Sequence, residues 1–599
     1  MRLTRIEIEN FKGIGRRQAI DLRPITLLFG PNSAGKSTVL HALHYAREII
    51  ERRNANADST IAGGALNLGG FQNIVHGRDL DRPIRIRLVS TVPHSDADAF
   101  KVNRMGLSGR PVGRRRVVEV RSDDENANNL SPAFFDTMIG HIAYFTRADE
   151  ITGNSDDEGI FFNVTAEEVV VQKVAIELEV RWDHRRNEAF VSKYSVDLND
   201  DSVFEVVAPD LSNEARIQSF NFDHPLFRVV LSGSKSQVSF GEFEISPVLE
   251  LVATLSISSL SEARSGELEP KDLSVNVLGT LGALPSLDSA PDFHLKDLAM
   301  SDGDEPSSFL DKSMLEILLS ELMQAPLKTT KELLQNSVYI GPLRDIPPRG
   351  FQPQLITSEE RWANGLGAWD ALLSANERET RLLDRVNFWL GDSDRLDTGY
   401  RFEQRKFRRI EYGDDIAALE ARAEYEGTAD EFLDALKRLP WKHEVVLRDE
   451  RTGIDVLPSD IGVGLSQLIP IITMPYKRTG LFSIEQPELH VHPRVQVRLA
   501  DLFISTMTSS SEDDPICDTW LVETHSEHVM LRLKRRLRQT DESELPDWLP
   551  PLHPEDLAIY FVEMEESGAR FYEIGIDEEG EFTTVWPKGF FAERREELL

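Results

Sequence analysis

The sequence predicts an α/β protein whose two lobes come from the two ends of the chain, with a large mixed α+β insertion between them and a small C-terminal β domain. Three observations predict it. Gly30-Pro31-Asn32-Ser33-Ala34-Gly35-Lys36-Ser37 stands between a short apolar run and a segment of helical periodicity. Leu481-Phe-Ser-Ile-Glu485-Gln486-Pro-Glu488 is an apolar run closed by carboxylates, and Thr519-Trp-Leu-Val-Glu-Thr-His525 is another closed by a histidine. The expected boundaries are 1–80 for the first lobe, 81–335 for the insertion, 336–545 for the second lobe and 546–599 for the tail.

Arg2 to Gly15 alternates apolar and polar residues, the pattern of a half-solvated strand, and Ala19-Ile-Asp-Leu supplies a second edge. Pro24 to Phe29 is a β-type apolar run, and Ser37, Thr38 and the residues up to Ile50 place apolar side chains at helical spacing. The eight residues between them complete a G-x-x-x-x-G-K-S phosphate loop. In such a loop backbone N–H groups curl around phosphates, Lys36 reaches the β and γ oxygens, and the Ser37 hydroxyl ligates Mg2+. The helix that follows points its positive end at the same anion. ATP and Mg2+ are therefore the expected cofactors.

The chain of 599 residues is too long for one hydrophobic core, and its 40% hydrophobic content suffices for more than one. It begins with no charged-then-apolar leader and has no apolar run of about 18 residues, so a cytoplasmic location is expected. A single cysteine, Cys517, excludes an internal disulfide and a C-x-x-C zinc hook, and long heptad runs are missing. The net charge of −34 works against a nonspecific grip on nucleic acid, which depends on Lys and Arg displacing counterions. Basic runs persist at Arg110 to Arg121, Arg405 to Arg409 and Arg532 to Arg538, and each reads first as a solvated face balancing nearby acids. From Asp81 to Gln335 motifs give way to alternating runs such as Ile84 to Ser90 and Val174 to Val180, with a helical stretch from Lys312 to Met323.

The second lobe opens with Val338-Tyr-Ile-Gly-Pro-Leu-Arg344, a strand and a proline-rich turn, followed by helices between Ala368 and Leu390. A strand pair, Glu444 to Leu447 and Ile454 to Leu457, turns at Arg451-Thr-Gly and runs into a glycine-rich helix start that contains Ser459, Gly462, Gly464 and Ser466. Glu485 then stands where an apolar strand delivers a carboxylate to Mg2+, and Gln486 where the next residue serves the attacking water. A neutral amide orients water and accepts no proton, which leaves slow hydrolysis or a base role for Glu488. His490-Val-His492 has no third ligand nearby and reads as a structural turn. Leu557 to Met564, Phe571 to Asp577 and Phe582 to Trp586 read as a β-meander.

Ile8-Glu-Asn-Phe-Lys-Gly13, two strands and then Gly30 to Ser37 resemble the N-terminal lobe of SMC-like and OLD-like ABC ATPases. The resemblance covers roughly the first 80 and last 260 residues. It implies that Gln72 touches the metal and the water, that His525 is the switch histidine contacting the γ-phosphate, and that His490-Val-His492 is the D-loop. It also makes Pro458 to Ile472 a divergent signature segment, with Ser459 and Ser466 competing for the signature serine. Trp586-Pro-Lys-Gly-Phe-Phe resembles the end of a C-terminal domain of unknown function in this ATPase group, and the tail is too short for a Toprim nuclease. ATP is then expected to bridge two copies head to tail in a homo-oligomer, a switch or sensor acting with a separate effector such as a nuclease in prokaryotic defence or DNA maintenance. A non-hydrolysing ATP-gated scaffold and a RecF-like repair ATPase are the alternatives.

Overall fold

The computed structural model describes residues 1–60, 66–92, 116–119, 161–166, 171–211, 214–221, 224, 229–235, 238–239, 243–245, 275–294, 307–375, 380–391, 393–408, 429–439, 442–478, 480–507 and 519–587. The basic run at Arg110 to Arg115 and Arg121, with Cys517, falls outside them.

A six-stranded sheet carries the motifs. Its order is Val338–Ile340, Leu481–Glu485, Thr519–Glu523, Ile25–Phe29, Leu557–Glu565 and Gly568–Glu573. The first five run parallel and the last is antiparallel. The strands of the phosphate loop, Glu485 and Glu523 are buried at every residue, which is why each reads as a continuous apolar run rather than an alternating one. Alternate residues feed two cores on opposite faces: Ile25, Leu27 and Phe29 join Phe482, Ile484, Trp520 and Val522 on one side, and Leu28 joins Leu481 and Leu521 on the other.

The tail corrects the expectation of a separate small β domain at 546–599. Its first strand pairs in parallel with the phosphate-loop strand from Leu557↔Ile25 to Phe561↔Phe29, so it belongs to the main sheet. The Ala569 N–H bonds the Gly13 carbonyl at 2.6 Å, which lays the hairpin against the N-terminal turn. The expected third strand at Phe582–Trp586 is also absent. An isolated bridge joins Ile576 to Phe582, and Trp586 packs its ring against Phe29, Phe561 and Phe582.

The insertion extends the other N-terminal sheet. Gln18–Asp21, Arg2–Glu9, Ile84–Thr91, Lys173–Asp183, Glu188–Leu198, Asp201–Val207, Glu214–Phe220, Val275–Leu278 and Asp292–His294 form one nine-stranded sheet, with antiparallel pairing throughout. The helix Ser307–Gln335 lies on it, and Tyr194 donates its hydroxyl to the Met323 carbonyl at 3.0 Å. In the second lobe the strand pair gains an unanticipated partner, Tyr400–Phe407, which carries Arg405 and Lys406. Among the described residues no helix is long and apolar enough to cross a membrane.

Candidate nucleotide site

The phosphate loop leaves its strand through Gly30 at φ 145° and turns into the helix Ser37–Arg52 through Gly35 at φ 99°, both in the region that disfavours side chains. Gly30 has a second constraint, since a Cβ there would lie 2.3 Å from the Val562 carbonyl oxygen of the tail strand. Pro31, Asn32 and Ser33 are exposed, whereas Ala34, Lys36 and Thr38 are buried. The Lys36 ammonium donates to the Gly30 and Pro31 carbonyls at 3.0 and 2.9 Å, and Ser37 Oγ donates to Glu523 Oε2 at 2.5 Å. Burial pulls the Lys36 amine below its ordinary range, against the pull of Glu523.

Glu485 and Glu523 are register partners at the ends of neighbouring parallel strands, so both acids face the loop from one edge. Tyr339 donates its hydroxyl to Glu485 Oε1 at 2.8 Å, and His41 Nε2 lies 3.8 Å from the same oxygen. Burial, then the neighbouring Glu523, pushes the Glu485 carboxyl up to about 7. Lys12, in a left-handed turn at φ 47°, donates to His41 Nδ1 at 2.7 Å, and burial pushes its amine down to about 8. Arg344 meets main chain here: one guanidinium nitrogen donates to the Glu485 and Gln486 carbonyls at 2.8 and 3.2 Å, and its own carbonyl accepts from Gln467 at 2.7 Å. It thereby fixes the backbone at the end of the Glu485 strand.

Gln486 sits at φ 45°, its N–H bonded to the Glu523 carbonyl at 2.8 Å. The neighbouring Glu488 accepts from Thr524 Oγ1 at 2.8 Å and from the His525 N–H at 2.7 Å, one bond to each oxygen. Through these two bonds Glu488 holds the His525 loop in place, and each oxygen keeps a further lone pair. His525 has a buried Nε2 without a partner, and burial, then Lys36, pushes its imidazole down to about 4. Neutral and unpaired beside Lys36, that nitrogen is suited to a phosphate oxygen.

The glycine-rich segment reaches the end of the Glu485 strand through Gln467 and Arg344. Gly462 caps the helix Val463–Lys477, and a Cβ on Gly464 would lie 2.9 Å from the His490 carbonyl, so the helix start and the His490 turn share a surface. Ser466 is fully buried and returns its hydroxyl to the Val463 carbonyl at 2.7 Å. Ser459 is half-buried in a short turn, 3.3 Å from Asp460 Oδ1. Of the two serines, Ser459 is the one on the solvent side. Gln72 is exposed on the short helix Phe71–Ile74, which contacts the site's edge through the Lys12 N–H to Ile74 carbonyl bond of 2.5 Å. Among the described residues no hydrogen bond or ion pair joins Gln72, Ser459, Gly462, Gly464 or Ser466 to residues Gly30–Thr38. His492 caps the helix Pro493–Thr506 by accepting from the Arg494 N–H, a structural task.

Sequence reasoning missed Glu523, Tyr339, Lys12 and His41. Glu523 carried a signal, since it closes an apolar strand as Glu485 does, two residues before His525. The others reach the site through packing between segments far apart in the chain. The donor set of hydroxyl and carboxylates fits Mg2+, which keeps waters and takes one or two carboxylates together with nucleotide phosphates. Consistent with that partial set, the described residues contain no group of three His, Cys, Asp or Glu placed to hold a metal alone.

Residues 1–54 match a family described as AAA ATPase domain, and residues 552–599 match one described as a protein of unknown function, DUF3696. The two matches meet in the fold, because Ile25–Phe29 and Leu557–Glu565 are paired strands. A search of curated proteins returned no match. Among solved structures, an SMC head bound to the C-terminal winged-helix domain of ScpA is 10% identical with a TM-score of 0.33, covering 96% of this chain and 98% of its own. The SMC head domain from Thermotoga maritima is 10% identical with a TM-score of 0.29, covering 96% and 100%. An SMC head with an extended coiled coil, bound to the C-terminal domain of ScpA derived from Pyrococcus furiosus, is 11% identical with a TM-score of 0.32, covering 96% of each chain. Scores of this size leave the argument to the site itself. The chain has an α/β phosphate-loop fold whose first 54 residues are similar to an AAA ATPase domain.

Proposed function

We propose that the protein is an ABC-type ATP-binding and ATP-hydrolysing switch in which Lys36, Ser37, Glu485 and His525 serve Mg·ATP. The observation that carries this is their convergence: phosphate loop, carboxylates and histidine close three adjacent parallel strands at one edge. Lys36 binds the β and γ phosphates, the loop's N–H groups and the helix end orient them, and the neutral His525 meets the γ-phosphate. Mg2+, when bound, neutralises charge that develops on the phosphates. Gln486 and Gln72 orient the attacking water.

That Ser459, Gly462 and Gly464 make no hydrogen bond to the phosphate loop among the described residues supports completion of each site by a second copy, head to tail. The resemblance to SMC-like and OLD-like ATPases supports a cytoplasmic role in prokaryotic defence or DNA maintenance, with a separate effector that answers the ATP state. Two of the basic runs do not favour a RecF-like grip on DNA. Arg532 and Arg536 are buried on Asp501, Lys534 and Arg538 pair with Glu581, and Arg405 pairs with Asp455.

One observation favours a non-hydrolysing scaffold as second reading. Gln486, which stands where the water-serving residue is expected, cannot accept a proton. Steady-state ATP hydrolysis, with and without double-stranded DNA and against Lys36→Ala, decides between them. Turnover lost in the variant is the expected result, and ATP binding without turnover in the wild type establishes the scaffold instead.

A further inference from the structure

The carboxylate closest to the metal-side hydroxyl of Ser37 is not the one at the end of the expected acidic strand. Glu523 occupies the strand between that of Glu485 and that of the phosphate loop, in register with Leu28. One of its oxygens accepts from Ser37 at 2.5 Å, and the other lies 3.7 Å from the Lys36 ammonium. A single carboxylate thus spans both loop residues on which a Mg·ATP site depends. Glu485, one strand farther out, is turned to Tyr339 and His41 instead.

Spacing and charge lead to the same assignment. Mg2+ holds oxygen ligands at about 2.1 Å in octahedral geometry, which puts neighbouring ligands about 3 Å apart. Ser37 Oγ and Glu523 Oε2 need to part by only a fraction of an ångström to meet that spacing. The Ser37 hydroxyl proton bridges the two oxygens. Ser37 Oγ and Glu523 Oε2 would supply lone pairs to a bound cation. Glu485, Glu488 and Glu523 also crowd one buried region in which Lys12, Lys36 and Arg344 are nearby cations, and one Arg344 nitrogen is given to the Glu485 and Gln486 carbonyls. Crowding three carboxylates into one buried region is costly, and a divalent cation between Ser37 and Glu523 relieves that cost.

We propose that Glu523 is a direct metal-side ligand of this site, paired with Ser37, and that Glu485 supports it from the neighbouring strand. The assignment rests on the ATP-binding reading above and adds to it the residue that makes nucleotide binding depend on the metal.

The test uses the full-length chain with mant-ATP as nucleotide probe and Mn2+, read by electron paramagnetic resonance, as metal probe. Wild type is compared with Glu523→Gln and Glu523→Asp. In the Gln variant Mn2+ affinity in the presence of nucleotide is expected to fall about tenfold or more. The Asp variant, which keeps the charge on a shorter arm, is expected to recover part of that loss, which a purely structural side chain would not do. Mn2+ affinity within about twofold of wild type in the Gln variant overturns the assignment. If the Gln variant fails to fold, the Asp variant decides alone: reduced Mn2+ affinity supports the ligand and unchanged affinity overturns it. Failure of wild type to bind mant-ATP overturns the ATP reading itself and this assignment with it, and the wild-type arm alone tells that result from the others.

Discussion

At the scale of single residues, the candidate site separates groups proposed to meet phosphate and metal from groups that hold them in place. Glu488 belongs to the second kind, since its carboxylate holds the Thr524 hydroxyl and the His525 N–H. Glu488→Ala leaves both donors buried without a partner, and a loss of about 1–3 kcal/mol is expected in urea unfolding. A loss below about 0.5 kcal/mol would be the size of an ordinary surface change and would contradict that role. The buried histidines set a pH dependence with a definite sign. His41 and His44 are pushed down to about 3 and His525 to about 4, mainly by burial, from an ordinary 6.5. Unfolding frees them to take up protons below 6.5, so stability drains away as pH falls from 6.5 toward 4. Glu485 acts the other way between its ordinary 4.5 and about 7, and Glu488, also raised by burial, acts with it, which leaves two groups opposing three. A thermal melt is expected to give a lower Tm at pH 5 than at pH 6.5, and an equal or higher one would show that these imidazoles are not held neutral.

At the scale of elements, legibility followed how local the cause was. The phosphate loop, the strand ending in Glu485 and the strand ending before His525 were readable because strand burial and helix periodicity are written over a few consecutive residues. Tyr339 on Glu485 and Arg344 on the Glu485 carbonyl were not, since each contact spans more than 140 residues and depends on which strands become neighbours. The tail shows the same limit. Its hairpin was legible, but parallel pairing of Leu557–Phe561 with Ile25–Phe29 has no local signature, so a core element passed for a separate domain. A chain ending at Leu552 therefore loses an inner strand of the main sheet and the wall behind Gly30. It is expected to be insoluble or to melt well below the full chain, and a soluble truncation with unchanged Tm and ATP binding would show that the tail folds apart.

At the scale of the whole molecule, two placements bear on the proposed mechanism: the candidate nucleotide groups lie at one edge of the central sheet, and the Gly462 to Gly464 helix start shares a surface with the His490 turn. Ser466 cannot supply the link, because its hydroxyl is spent inside its own helix. A second copy can, by bringing Ser459 and the open helix end to the phosphate held on Lys36. Light scattering on the purified chain, with and without Mg·ATP and with Lys36→Ala alongside, tests this most directly. A rise in mass to at least that of a dimer in the wild type alone is the expected result. Saturating ATP bound to a particle of unchanged mass would contradict a site completed between two copies.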